Sequence, residues 1–111
     1  MGSVKVFYRP FSRDQLIARL SEGLPALAEK LDLRRVVLFG SWATNRATAF
    51  SDVDVLVVYG GPARDDAYRL VRAAFEIRGL EPHVYSEDEA EALHSTVTRM
   101  TRDGIDLLSR S

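Results

Sequence analysis

Two apolar runs constrain what this chain can fold into. Val36 to Phe39 stops abruptly at Gly40-Ser41, and about ten residues later Ser51-Asp52-Val53-Asp54 leads straight into Val55 to Tyr59. Both runs read as strands, and the second is wholly apolar beyond Asp54, as expected of a strand covered on both faces. Alternate side chains of a strand share a face, so Asp52 and Asp54 point the same way. Two neighbouring carboxylates repel each other, and a fold keeps such a pair most readily with a cation between them. Hard oxygen donors of this kind suit magnesium. Gly40 lets the backbone approach a ligand closely, and a short helical turn opened by Ser41 would offer free amides and a hydroxyl to a phosphate. A phosphate cradle facing a divalent-cation clamp is equipment for nucleotide chemistry.

A chain of 111 residues supports one core, and a single domain over 1–111 is expected. An apolar content of 46% is that of an ordinary globular chain and excludes general disorder. The formal net charge of -1 argues against a strongly basic nucleic-acid surface. No leader-like segment and no membrane-length apolar run is visible, so a cytoplasmic protein without a membrane role is expected. The absence of cysteine excludes disulfides, zinc-thiolate sites and cysteine nucleophiles.

Val4 to Tyr8 has strand-like composition and reads as an added edge strand. Ser12 with Gln15 makes a capping box for a helix carrying Leu16, Ile17, Leu20, Leu24, Leu27, Ala28 and Leu31. Gly23 and Pro25 interrupt that helix, predicting a kink or two shorter helices. Between the two central strands, Ser41 to Arg46 is expected to turn helically and residues 44–50 to form a loop, with Asn45 able to take a left-handed conformation. Trp42 reads as a core anchor in preference to a base-stacking ring. A helix is predicted over 64–78, with Gly79 as its C-terminal cap, followed by a third strand over Leu80–Tyr85. Ser86 with Glu89 forms a second capping box, opening a helix whose inner stripe includes Leu93, Val97 and Met100. Ile105, Leu107 and Leu108 are expected to pack the C-terminus back onto the core.

The ligand-bearing ends can meet only if strands one and two run antiparallel. Strands two and three, separated by a whole helix, should form a right-handed parallel pair. Glu81 then starts strand three beside the start of strand two and brings a third carboxylate to the same edge. His83 shares Glu81's face by alternation, while His94 and the acidic run Glu87-Asp88-Glu89 read as an exposed residue and a helix N-terminus.

Leu38-Phe39-Gly40-Ser41-Trp42-Ala43, a spacer, then Ser51-Asp52-Val53-Asp54-Val55-Leu56-Val57-Val58 resembles the signature of the minimal nucleotidyltransferases, small members of the DNA polymerase β-like superfamily. The stretches beginning at Glu81 and Asp103 also look family-like. The resemblance implies an α/β (α+β) nucleotidyltransferase fold, a small mixed sheet with helices packed against it. It implies that Asp52, Asp54 and Glu81 are catalytic and hold two Mg²⁺ ions, with Mn²⁺ as a substitute, and that Gly40, Ser41 and Arg46 bind the nucleotide. Arg46 stands displaced from the family's Arg-Gly position, which Thr44-Asn45 occupies here. The implied reaction moves a nucleoside monophosphate, AMP from ATP or another NTP, to a hydroxyl. Larger superfamily members carry a further domain gripping base and acceptor. The resemblance therefore implies a partner that completes the site, a small helical HEPN-type toxin whose tyrosine would accept AMP. A non-enzymatic antitoxin acting by contact, a nucleotide-binding regulator and self-association stay open at this stage.

Overall fold

The structure is a computed structural model describing residues 12–48 and 51–109. The expected edge strand over Val4–Tyr8 lies outside the described residues. In chain order come α1 (Arg13–Ala28), β1 (Leu33–Phe39), a single 3-10 turn (Gly40–Trp42), β2 (Val53–Tyr59), α2 (Ala67–Ala74), β3 (Leu80–Ser86), α3 (Glu87–Ala92), α4 (His94–Met100) and β4 (Ile105–Asp106). The strands form one mixed sheet in the order β3-β2-β1-β4. β1 and β2 are antiparallel, with Phe39 opposite Asp54, and β2 and β3 are parallel, with Asp54 opposite Glu81. Both pairings have the sense that the loop lengths require.

α1 and α2 cover one face of the sheet. There Leu16, Leu20, Leu27, Val36, Leu38, Val53, Val55, Val57, Val71 and Phe75 form the main core. The other face holds a smaller cluster of Val37, Leu56, Val58 and Val97, with Phe39, Tyr85 and Met100 packed against it. β2 is thus buried from both sides, which explains its unbroken apolar run. Both capping boxes form: the Ser12 hydroxyl accepts from the Gln15 amide, and the Ser86 hydroxyl accepts from the Glu89 amide. Each satisfies helix-end donors that would otherwise go unmet.

Several boundaries depart from expectation. α1 runs unbroken through Gly23 and Pro25. Gly23 serves packing there: a Cβ on it would lie 2.5 Å from the Ala74 carbonyl and 2.8 Å from the Phe75 ring. α2 is shorter than the predicted 64–78. Its N-terminal side is held as a turn, because Arg64 pairs with Asp66 at 2.9 Å and donates to the Lys30 carbonyl, while the Arg64 amide donates to the Tyr59 hydroxyl. At its other end Phe75 leaves the helix to bury its ring, and Gly79 sits at positive φ in the turn before β3 instead of capping a helix. The helix expected after Ser86 splits at Leu93, which is exposed to 41% while Val97 is buried. Ile105 and Asp106 add a fourth strand, antiparallel to β1, with Leu38 opposite Ile105.

The close crossing at Gly23 generates a test. Alanine raises intrinsic helix propensity by about 1 kcal/mol over glycine. Here its methyl meets a backbone oxygen that cannot swing aside, so Gly23→Ala should instead lower stability by ~1–3 kcal/mol in urea unfolding. A variant more stable than wild type would show that α1 and α2 do not meet at this point.

Candidate functional site

β1 ends at a point that only glycine can occupy. Gly40 has φ +78, a backbone conformation disfavoured for other L-residues, and a Cβ there would lie 2.5 Å from Asp54 Oδ2. The Gly-Ser and Asp-x-Asp segments are therefore fitted to each other before any ligand is considered. The chain then makes its 3-10 turn, closed by the Ala43 amide donating to the Gly40 carbonyl, and Arg13 secures the turn by donating to the Ala43 carbonyl at 2.7 Å. Trp42 is buried, as expected of a core anchor. Asn45 takes the left-handed conformation with φ 64. The Arg46 amide then reaches back to the Ser41 carbonyl at 2.8 Å.

The return into β2 is set by a small polar turn. The Thr48 amide donates to the Ser51 hydroxyl at 2.9 Å, and the Ser51 amide donates to the Thr48 carbonyl. Asp52 follows, exposed, and the Val53 amide donates to the Gly79 carbonyl, tying the start of β2 to the turn before β3. Asp54 and Glu81 are paired neighbours in the parallel ladder and so share one face of the sheet. His83, on the same face, brings Nε2 to 3.5 Å from Asp54 Oδ1 and sets its ring 5.1 Å from that of Phe39. At that separation the contact is an electrostatic approach and not a well-formed hydrogen bond, and His83 Nε2 is buried without another partner. The sequence places His83 on the face of Glu81 but does not reveal that it stands against Asp54.

Burial pushes the Asp54 carboxyl above the ordinary carboxylate range. His83 opposes the shift, and the charges of Asp52 and Glu81 add to it. Among the described residues no three His, Cys, Asp or Glu side chains converge into a ready-made metal cage. The donor set nevertheless fits a divalent cation. Its groups are carboxylate oxygens, the half-buried Asp54 is repelled by two neighbouring acids, and the glycine opposite puts no side chain of its own against Oδ2.

A cleft of about 390 Å³ opens on the other side of Gly40 and Ser41. It is lined by Phe39, Gly40, Ser41, Thr44 and Arg46 and closed by residues of the turn between α4 and β4, Arg102 among them. Gly40, Ser41 and Arg46 are thus brought to one cavity, while Asp52, Asp54 and Glu81 gather across β2 and β3. Arg99 and Arg102 carry no sequence signal of their own: Arg99 reads as an ordinary cation near a helix C-terminus.

The raised Asp54 carboxyl fixes the sign of a pH effect. The folded state holds this proton more tightly than the unfolded chain does. The stability it contributes is therefore present below the ordinary aspartate range and is lost as pH rises through the raised folded value. Asp54→Asn, uncharged throughout, should melt a few degrees above wild type at neutral pH in chelator-treated buffer. The gap should close near about pH 4. A lower melting temperature for the variant at neutral pH would contradict this account of the site.

No curated protein matches this chain. Among solved structures, a protein from Sulfolobus solfataricus described as a candidate nucleotidyltransferase superposes with a TM-score of 0.61 at 20% identity. The match covers 95% of this chain and 90% of that one, a likeness of fold. The profile of the nucleotidyltransferase domain matches residues 20–105, a span that takes in β1, the Gly-Ser turn, all three acids and the α4–β4 turn. The chain belongs to the nucleotidyltransferase domain family.

Proposed function

We propose that the protein transfers a nucleoside monophosphate, AMP from ATP, to a hydroxyl acceptor, with the tyrosine of a small helical HEPN-type toxin as the acceptor. The observation that carries this reading is the apposition of Asp54 and Glu81 on neighbouring strands, directly across from the Gly40–Ser41 turn. Family membership supports nucleotidyl transfer in general; the donor, the acceptor and the metal belong to the proposal.

Asp52, Asp54 and Glu81 would hold two Mg²⁺ ions, which when bound supply charge neutralisation at the attacking and leaving oxygens. The protein's own contribution is positional. Glu81, the outermost and exposed acid, is placed to take the proton of the incoming hydroxyl. Ser41 and the amides of its turn face the polyphosphate, and Arg46 adds positive charge beside them. Asp54 is kept in place by the Gly40 backbone on one side and by His83 on the other. The acceptor oxygen then bonds to the α-phosphorus and gives up its proton. The bond to the bridging oxygen breaks, and pyrophosphate departs with the electron pair.

The test uses the protein, Mg²⁺, labelled ATP and the small helical toxin, with the toxin's intact mass as readout. One or more AMP units should be added, and Asp52→Asn/Asp54→Asn should slow the addition by ~100-fold or more. Tight toxin binding with no mass change, equally strong in the double variant, would replace transfer with an antitoxin that acts by contact alone.

A further inference from the structure

α1 begins with a residue that its own helix disfavours. Arg13 occupies the first helical position, directly after the Ser12 cap, where the unmet amides of a helix favour an acid over a cation. Asp14 beside it has the favoured sign. Arg13 is nevertheless half-buried, and its guanidinium donates through Nη1 to the Ala43 carbonyl at 2.7 Å. The two residues stand 30 positions apart in the chain, so no local pattern of the helix accounts for the contact. A hydrogen bond of this length from a charged donor is of the stronger kind.

The acceptor sits at the end of the turn that carries Gly40 and Ser41. Within that turn the Gly40 carbonyl accepts from the amides of Ala43 and Thr44, and the Ser41 carbonyl accepts from the Arg46 amide. In a planar trans peptide the N–H points away from the carbonyl, so these bonds direct the Ser41 and Trp42 amides to the opposite side. Ala43 is buried, and a buried carbonyl without a donor is costly. Arg13 supplies that donor from α1 and so fixes the end of the turn. It is not one of the residues lining the cleft at Gly40 and Ser41, so its effect on a ligand there passes through the turn. It also lies upstream of residue 20, where the match to the family profile begins.

We propose that Arg13 is a positioning residue of the nucleotide site. From the first turn of α1 it holds the Gly40–Ala43 turn in the arrangement whose Ser41 and Trp42 amides can meet a phosphate. Nucleotide affinity is thereby set in part from a helix that does not line the cleft. The identity of the ligand rests on the nucleotidyl-transfer reading, and the bond between Arg13 and Ala43 does not. Arg13 makes one bond here and not a bidentate pair, so a lysine in its place can serve the same carbonyl.

The experiment is calorimetric titration of the full chain with Mg²⁺ and an ATP analogue carrying a methylene between its α- and β-phosphates. Arg13→Met keeps the apolar stem, removes the donors and should weaken the analogue by roughly tenfold. Arg13→Lys should bind within about twofold of wild type. Arg19→Ala removes an exposed charge from the same helix and should leave the affinity unchanged, which separates the bond from long-range attraction. Gly23→Ala, destabilised away from the turn, should also bind normally, which separates the effect from a general loss of stability. Amide exchange gives a second readout: Arg13→Met should speed exchange at Thr44 and Arg46 while the amides of β2 keep their protection. If Arg13→Met melts early, the titration is run at lower temperature with Gly23→Ala as the stability reference. Equal affinity of Arg13→Met and wild type, a loss that Arg13→Lys does not recover or Gly23→Ala shares, or unchanged exchange in the turn overturns the proposal and leaves the transfer reading in place. Wild-type protein that binds no analogue overturns both. Arg13-dependent binding without AMP transfer to any acceptor keeps this proposal and removes the transfer reading alone.

Discussion

A backbone without a side chain governs this site. Gly40 closes β1 at positive φ, directly against the Asp54 carboxylate, and there is no room between them for even one carbon. The antiparallel pairing of β1 with β2 produces that contact, and the two-sided burial of β2 keeps the pairing in register. The Gly-Ser turn and the acidic strand thus form one unit, and the other strands are added to its flanks. On one side the α2 crossover delivers β3 and Glu81; on the other Gly104 lets β4 and its arginines close in.

The charges around this unit are separated, where stability alone would favour mixing them. Three acids gather toward the β3 side, and three arginines gather toward β4. Asp54 is held partly buried among like charges, an arrangement that costs stability. Elsewhere the chain behaves conventionally, with exposed pairs such as Arg34–Asp32 contributing little and the apolar core contributing most. Proteins commonly carry such local conflicts where they bind or react. His83 eases the conflict without removing it, since its ring is near enough to attract Asp54 but too far for a good hydrogen bond.

Much of this was open to reading from the chain itself. Strand β2, the antiparallel and parallel pairings, both capping boxes, the left-handed Asn45 and the placement of Glu81 beside Asp54 follow from local patterns and connection lengths. Element ends were less legible, because they depend on distant partners. Residues 64–66 have helical composition, but Arg64 is claimed by Asp66, Lys30 and Tyr59. Phe75 abandons α2 for the core, and Leu93 turns outward where a single helix would have carried it inward.

What the sequence determined by itself was how the acids and the Gly-Ser turn are arranged. Period-two alternation places acids on one face, a glycine marks a position no side chain can take, and a helical crossover requires a parallel neighbour. These rules act over a few residues or a single connection. Tertiary structure alone decided that Gly23 is a helix crossing, that β4 exists, that His83 faces Asp54, and that Arg99 and Arg102 join Arg46 at one cleft. The physical reason is the same in each case. A two-residue strand, a glycine within a helix and an arginine on a short helix have no periodic signature, and their meaning comes only from the surface that packing sets opposite them.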